Sequence, residues 1–278
     1  MLLFSFRYGQ GDCQTGEKQS PINIVMDEAK EESAPEKFVL DYDSAATTAT
    51  VVNHGYTVRA RALVFGARSQ RKLTAHSFPQ SPSLPISSSL AQVHVHSFSE
   101  HAVNGLFAAM EAHFVHQHEN DNTSLAVVGV MIRLQRHDEK SDWIDSKVPA
   151  GVDTNTTIDS KVPAAVDTNT TIDAGKANWQ SKVPAGVDTN TTIDVPQNFW
   201  TEMIDPSMGF WRYSGSLTTP ACSEIVEWHV LRKAKFLSVA QAITFMNLIA
   251  KENTERTDNR LPEPLNGRMV TYFTNVSA

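Results

Sequence analysis

The chain has 278 residues, of which 41% are hydrophobic, and this length and composition predict one large domain with a deep core. Its formal net charge of −7 argues against a nucleic-acid-binding surface. No apolar run reaches the roughly 18 residues that a membrane-spanning helix needs, so the sequence predicts no membrane span. The apolar start at residues 1–6 is short, ends at Arg7 and lacks the basic beginning of an intact signal peptide.

Segments rich in β-branched and other apolar residues predict strands along most of the chain. They lie near residues 50–65, 91–96, 109–118, 125–135, 210–216 and 225–232. A capping box at residues 238–241 then marks the start of a helix. The apolar residues that follow at helical spacing are Val239, Ile243, Met246 and Ile249. We therefore predict a helix near residues 239–250 whose apolar stripe packs on a sheet.

A tandem repeat lies between the fourth and fifth of these strand-like segments. The unit at residues 146–159 recurs at 160–173 with one change, Ala165 in place of Gly151, and recurs unchanged at 181–194. The unit contains a proline, is rich in Thr, Asp and Asn, and offers few apolar residues for a shared face. We interpret it as a solvated surface loop rather than an ordered stack of strands. Since each copy carries two aspartates, mineral or partner binding is an alternative to simple solubility.

Three histidines lie on two neighbouring strand-like segments, His94 and His96 on the first and His113 on the second. Successive side chains of a strand alternate between its faces, so His94 and His96 point the same way. A paired strand that carries His113 would place a third imidazole beside them. Three neutral imidazoles with one open position are typical of a catalytic zinc site. The His-x-His pair alone is a weak signal, because ten histidines also form such pairs by chance on surface strands.

Two polar residues strengthen the metal hypothesis. Gln92 lies two residues before His94, and Glu111 lies two residues before His113, so each shares the face of its histidine in a strand. Zinc-bound histidines usually donate their other N–H to a carboxylate or a carbonyl. We therefore predict that Gln92 and Glu111 support the metal ligands.

Several segments together resemble a known family in their order and spacing. They are residues 19–24, 94–101, 110–116, 125–129, 213–220, 259–260 and 264–268. The chain is similar to the α-class carbonic anhydrases over roughly residues 8–145 and 197–275. Only three residues separate His96 from Glu100, and this short link resembles the bacterial, plant and algal branch of the family.

The resemblance implies a mostly β (α+β) fold with a twisted, mainly antiparallel central sheet and short peripheral helices. Residues 1–278 would form a single domain, and the repeats at 146–194 would be an insert within it. A zinc ion would be held by His94, His96 and His113 in a conical cleft. The implied activity is the reversible hydration of carbon dioxide to bicarbonate and a proton by a zinc-bound hydroxide.

The same resemblance implies further roles. Thr218 would accept the proton of the hydroxide and donate its own hydroxyl to Glu100, and Thr219 would help to seat bicarbonate. The backbone carbonyl of Asn259 would hold the ring of His96. The apolar wall that receives carbon dioxide would consist of Val115, Val127, Leu217 and Trp228.

Two positions depart from the family pattern. Tyr56 stands where many members carry a histidine proton shuttle, and tyrosine, with a pKa near 10, is a poor shuttle at neutral pH. His54 would share the face of Tyr56 if both lay in one strand. Ala221 replaces a proline that follows a cis bond; such a bond before alanine costs roughly 3–4 kcal/mol, so we expect a trans bond and a shifted loop. The Ser20-Pro21 bond keeps its proline and is a candidate for the cis form.

The two cysteines, Cys13 and Cys222, admit two interpretations. From the residues alone, two free buried thiols are as acceptable as a bridge. Secreted members of the resembled family often join cysteines at these places, so the resemblance implies a disulfide and a secreted, periplasmic or otherwise oxidising location.

A non-catalytic binding or mineral-matrix protein on the same fold is the alternative function. Inactive relatives typically lose the metal triad, and this chain keeps it.

Overall fold

The computed structural model describes the chain in segments. They are residues 12–33, 39–41, 47–53, 58–63, 72–76, 85–118, 123–134, 189–195, 203–237, 239, 242–243, 246 and 258–274. Within them, strands predominate, and each of the strand-like sequence segments contains a strand. The predicted mostly β fold is therefore confirmed.

The helices whose bounds the structure describes are few and short. They are α1 (Asp12–Thr15) and two 3₁₀ helices, Met26–Glu28 and Pro206–Met208. The strands are β1 (Asn23–Ile24), β2 (Lys30–Ser33), β3 (Val39–Asp41), β4 (Thr47–Asn53), β5 (Val58–Leu63), β6 (Lys72–His76), β7 (Pro85–His96), β8 (Ala102–Val103), β9 (Leu106–Phe107), β10 (Met110–His118), β11 (Leu125–Leu134), β12 (Thr189–Val195), β13 (Phe210–Gly215), β14 (Val226–Leu231), β15 (Lys235–Leu237) and β16 (Thr271–Thr274). No helix in the described segments is long and apolar enough to cross a membrane.

One large sheet organises the described part of the chain. Its strands follow the order β12-β4-β5-β7-β10-β11-β14-β13-β16-β2, with β15 beside β11, β6 beside β7 and β3 beside β6. Most neighbours are antiparallel, as predicted, but β11 pairs in parallel with β14 and β15, and β16 pairs in parallel with β2. A small second sheet contains β1, β8 and β9.

The core lies at the centre of the large sheet. All six residues of β14 are buried, as are the first seven of β10, so both strands are covered on both faces. Strands of this kind have nearly continuous apolar sequences rich in valine and isoleucine, as β11 shows. Trp211, Tyr213 and Trp228 are the largest side chains buried there. A rigid, well-packed centre of this kind is where a sheet can hold functional side chains in fixed positions.

The end of the third repeat copy is part of the sheet. Residues 189–195 form β12 and pair with β4 in antiparallel register, from Thr189 opposite Asn53 to Val195 opposite Thr47. The prediction of a surface loop is therefore wrong for these residues, because their β-branched threonines and isoleucine suit a strand. Residues 146–188 of the repeats lie outside the described residues.

Four residues of the predicted helix near 239–250 are described, and all four are helical. Val239 and Ile243 are exposed, at 37% and 48%, whereas Ala242 is buried. The prediction that the Val239–Ile243 stripe packs on the sheet is therefore wrong at these positions. The small side chain of Ala242 faces the protein instead, and an apolar period alone does not reveal that a small residue marks the packed face.

Two of the peptide bonds considered above are cis. Ser20–Pro21 has the cis form for which it was a candidate, and Pro220–Ala221 is also cis, so the expected trans bond is wrong. The sequence argument counted only the intrinsic preference of the bond. In the folded chain this turn is also held by a hydrogen bond from the Cys222 N–H to the Thr219 carbonyl at 2.9 Å.

Candidate active site

The pairing of β7 with β10 brings the three predicted metal ligands together. His94 lies directly opposite His113, and His96 lies opposite Glu111. The ring centroids are 5.0 Å apart for His94 and His96, 5.1 Å for His94 and His113, and 4.8 Å for His96 and His113. Nδ1 of His113 lies 3.3 Å from Nε2 of His94. One ligand atom from each ring lies within 4.8 Å of the other two, which is compatible with one shared ion.

Two buried polar atoms at this cluster fit a metal ion. Nε2 of His96 and Oε2 of Glu100 lie 3.5 Å apart, and neither has a hydrogen-bond partner among the described residues. A buried polar atom without a partner costs free energy, so such atoms are rare unless a ligand or an ion satisfies them. Three imidazoles that converge in this way are the donor set that zinc prefers.

The charge around His96 also favours a cation. Burial by itself lowers the pKa of His96, but the carboxylates of Glu100 and Asp258 outweigh it and raise the pKa to about 9. The opposite holds for His113, whose pKa falls to about 4 because burial outweighs the attraction of Glu111. His113 is therefore neutral at pH 7, as a metal ligand must be.

Glu111 has four hydrogen-bond contacts, all with N–H groups. Its Oε2 accepts from the backbone N–H of Glu100 at 2.9 Å and of His101 at 2.8 Å. Its Oε1 contacts Nδ1 of His101 at 2.7 Å and Nε2 of His113 at 2.9 Å. Burial alone would raise the pKa of Glu111, but His101 and His113 hold it well below its usual range. Since the carboxylate is ionised and can only accept, Nε2 of His113 carries a proton and Nδ1 has a free lone pair.

A second candidate metal cluster shares these atoms. His101, Glu111 and His113 also lie close enough to hold an ion. Their facing atoms already bond to one another through the two short contacts to Oε1 of Glu111. We therefore assign this second cluster to a hydrogen-bond network that supports His113.

The network continues from the histidines to the loop at residues 216–219, Ser-Leu-Thr-Thr. Nε2 of His101 lies 2.6 Å from the hydroxyl of Tyr213, which donates to Oγ of Ser20 at 3.0 Å. Oγ of Ser20 in turn accepts the backbone N–H of Ser216 at 2.9 Å. All four residues are buried. Sequence reasoning missed His101 and Tyr213 as site residues, although both lie in the segments that carry the family resemblance.

Glu100 connects this loop with the C-terminal part of the chain. Its Oε1 accepts the backbone N–H of Arg260 at 2.9 Å. Burial raises the pKa of Glu100 to about 7, against the lowering effects of His96 and of a hydrogen bond with the Thr218 side chain. The guanidinium of Arg260 donates to Oε1 of Gln19 at 2.9 Å and to the carbonyl of Ser20 at 2.7 Å. Arg260 was not predicted as a site residue.

The group that faces Nδ1 of His96 is the carboxylate of Asp258. Its Oδ2 lies 3.5 Å away, and its Oδ1 accepts the backbone N–H of Ser97 at 2.8 Å. No described hydrogen bond joins Nδ1 of His96 to the predicted partner, the Asn259 carbonyl. The Asn259 side chain instead donates to the Ser99 carbonyl at 3.4 Å. Asp258, one residue before Asn259, was missed because this segment is irregular. Its sequence carries no periodic pattern that shows which side chain faces His96.

The predicted apolar wall lies on adjacent strands beside the histidines. Val115 is opposite Val127, and Val127 is opposite Trp228. The Trp228 ring centroid is 4.8 Å from that of His113. These three side chains are buried, and the partly buried Leu217 packs against the same cluster.

The other predicted residues are placed as follows. Gln92 lies in β7 opposite Val115, and Thr219 is half-buried in the loop after Thr218. Cys13 and Cys222 are joined by a disulfide bond, which ties the N-terminal segment to that loop. The shuttle candidates His54 and Tyr56 lie outside the described residues, between the end of β4 and the start of β5.

Curated relatives resemble the chain over most of its length. A carbonic anhydrase from Dunaliella salina is 30% identical over 281 residues, which cover 96% of this chain and 42% of that protein. The chain thus spans less than half of the Dunaliella protein. Alpha carbonic anhydrase 2 from Arabidopsis thaliana is 30% identical over 227 residues, which cover 80% of this chain and 70% of that protein.

Solved structures show the same fold. The α-carbonic anhydrase of Thermovibrio ammonificans, solved with the inhibitor sulfanilamide, is 25% identical, with a TM-score of 0.64 over 94% of this chain and 89% of that one. Dioscorin complexed with ascorbate is 23% identical, with a TM-score of 0.65 over 96% of this chain and 90% of that one, and shares the fold alone. The sequence matches the family described as eukaryotic-type carbonic anhydrase over residues 7–165 and 174–274. The chain therefore belongs to the carbonic anhydrase family of this type.

Proposed function

We propose that the protein is a zinc enzyme that reversibly hydrates carbon dioxide to bicarbonate and a proton. The observation that carries the proposal is the convergence of His94, His96 and His113 from two paired strands. His113 is neutral, and the orphaned Nε2 of His96 lies at the same point, so the residues fit a zinc ion. When bound, zinc acts as a Lewis acid that makes a water molecule nucleophilic at neutral pH, a chemistry best known from this family.

Thr218 and Glu100 orient the nucleophile in this proposal. The backbone N–H of Arg260 holds one oxygen of Glu100, and the Thr218 hydroxyl bonds to the same carboxylate. Because the ionised Glu100 accepts a hydrogen bond from the Thr218 hydroxyl, the Thr218 oxygen is left as an acceptor for the attacking water or hydroxide. That acceptor allows only one orientation of the nucleophile, with a lone pair towards the substrate carbon.

Glu111 fixes the form of His113 that can hold zinc. It accepts a hydrogen bond from the Nε2–H of His113, so the lone pair of Nδ1 points at the cluster. A carboxylate in this position also makes the imidazole a more basic ligand. Asp258 would act similarly on His96, from 3.5 Å.

The apolar group beside the histidines suits a linear, apolar substrate. Val115, Val127 and Trp228 offer no hydrogen-bonding group that would favour water over carbon dioxide at their surface, since the Trp228 N–H is already bonded to the Ser216 carbonyl at 3.0 Å. Leu217 adds to the same group. We propose that these side chains form the wall against which carbon dioxide lies and that Thr219 helps to seat bicarbonate.

The location and the proton path are inferred from the remaining residues. The Cys13–Cys222 bridge is compatible with an oxidising compartment, and we infer a secreted or periplasmic protein. We also propose that protons leave by way of buffer rather than an internal group, because Tyr56 is a poor shuttle at neutral pH.

The decisive experiment combines a zinc analysis with a carbon dioxide hydration assay. We expect one zinc ion per chain and measurable hydration that sulfanilamide inhibits. His113→Ala should lose both zinc and activity. The matched control is His118→Ala, which changes a half-buried histidine further along the same strand and should keep both. Full zinc occupancy in His113→Ala would refute the metal assignment, and a zinc-loaded parent without hydration would support the non-catalytic alternative.

A further inference from the structure

The outermost pairing of the large sheet is made by a repeated sequence. In the described part of the chain, β12 ends the sheet and pairs with β4 through seven residue pairs. The residues of β12 are Thr-Asn-Thr-Thr-Ile-Asp-Val. The first six of them, residues 189–194, occur in the same order at 154–159 and at 168–173.

Pairing with the edge of β4 should have nearly the same energy for each of these three segments. Backbone hydrogen bonds of a sheet do not depend on side-chain identity, and the register is set by the pattern of side chains, which is the same in all three copies. The residue that follows differs, since it is Ser160 after the first copy, Ala174 after the second and Val195, which pairs with Thr47, after the third. The copies also differ in the lengths of chain that join them to the neighbouring strands. Each doubling of a loop changes its closure cost by only about 0.6 kcal/mol, so these differences are small.

We infer that the edge of β4 is a docking site for the segment Thr-Asn-Thr-Thr-Ile-Asp, and that any of the three copies in the chain can fill it. The third copy is the one that pairs with β4 in the structure, and the first two copies carry the same six residues. Whichever copy docks lies opposite Asn53, the last residue of β4 before the stretch that contains His54 and Tyr56. If one copy is lost, another can therefore still pair with β4 as the edge strand.

Prolines can disable single copies, because proline cannot donate to a neighbouring strand. Thr191→Pro and Thr192→Pro are introduced together, since one of two successive residues must point its N–H towards β4. The second variant carries prolines at the equivalent threonines of all three copies, namely Thr156, Thr157, Thr170, Thr171, Thr191 and Thr192. The third variant is a deletion of residues 160–194, which joins Asp159 to Val195 and leaves one intact copy of the strand sequence. It also serves as a background for further substitutions.

Thermal unfolding and amide hydrogen exchange at residues 47–53 provide the readouts. The single-copy deletion should keep the melting temperature and the protection of β4. The full-length Thr191→Pro/Thr192→Pro variant should stay within about 2 °C of the parent, because another copy docks. Thr156→Pro/Thr157→Pro in the deletion background, and the variant with all copies disabled, should melt about 5–10 °C lower and lose protection in β4.

Two results would overturn the inference. If prolines in the third copy alone cost as much as prolines in all three, then only the third copy can dock. If disabling all copies costs nothing, then the edge strand does not contribute to the fold. Neither result depends on zinc or on catalysis, so the test is independent of the proposed function.

Discussion

Glu111→Gln is the substitution whose outcome follows most directly from the structure. The carboxylate accepts from four N–H groups, two on the backbone and two on the rings of His101 and His113. A glutamine amide has one oxygen and one NH₂ group, so one pair of these contacts must lose its acceptor. The backbone N–H groups of Glu100 and His101 cannot change their character, so the oxygen will turn towards them. The NH₂ group then faces the two rings.

This orientation reverses the proton arrangement of His113. To accept from the NH₂ group, Nε2 must lose its proton, and the proton moves to Nδ1, the atom that would bind zinc. We expect zinc affinity to fall about 10–100-fold, the usual range for loss of a carboxylate behind a metal-bound histidine. That range corresponds to about 1.4–2.7 kcal/mol of binding free energy. The metal-free protein should also lose about 2–3 kcal/mol of unfolding free energy, because buried donors are left unsatisfied.

The assay is a competition between the protein and a chelator of known zinc affinity, with urea unfolding of the metal-free protein beside it. The matched control is Glu227→Gln. Glu227 is also buried on a core strand, where it bonds to the side chains of Arg212 and Ser214 and does not touch the histidine cluster. This control should lose stability and keep its zinc affinity. Wild-type zinc affinity in Glu111→Gln would refute the reasoning about the tautomer of His113.

Three further predictions concern other parts of the molecule. Thr218→Ala should keep zinc and lose about 100-fold in hydration rate, because it removes the orienting hydroxyl and no ligand; unchanged turnover would contradict this role. Asp205 caps the 3₁₀ helix Pro206–Met208, and although burial raises its pKa, bonds with Lys233 and Ser207 lower it to about 2. The stabilisation that Asp205 contributes is therefore present above about pH 4 and is lost as pH falls towards 2. Asp205→Ala should lower the free energy of unfolding by about 1 kcal/mol at pH 7. In urea titrations at acid pH, the variant and the parent should become equally stable. Turnover should rise with imidazole concentration, and Tyr56→His should raise it at low buffer; a rate that does not depend on buffer would contradict the proposal that buffer removes the protons.

Local periodicity predicted that His94, His96 and His113 lie together, and the structure brings them into one cluster. His94 and His96 obey the alternation of one strand, and the adjacent segment in sequence supplies His113, so no long-range information was needed. Glu111 followed from the same parity argument. The strand content could be predicted for the same reason, since each central strand carries its own apolar pattern.

The parts that were missed depend on contacts between distant segments. Asp258 lies more than 150 residues from His96 in the chain, and Tyr213 is 112 residues from His101. Neither contact leaves a pattern in its own neighbourhood. The strand character of residues 189–195 was missed because the composition of the repeat was weighed without its position at the edge of β4. A polar segment can become a strand when a neighbouring strand offers unpaired backbone groups.

The convergence of distant segments of the chain at the loop that contains Thr218 and Cys222 bears on how the protein is made. Arg260 bonds to Gln19 across 241 residues of sequence, and the Cys13–Cys222 bridge spans 209. Contacts of such long range make folding slow, because much of the chain must be ordered before they form. At roughly 5–20 residues per second, a ribosome needs about 12–48 s to make the 241 residues that separate Gln19 from Arg260. Gln19 therefore leaves the ribosome well before its partner Arg260, and the bond between them can form only after the whole intervening segment has been made.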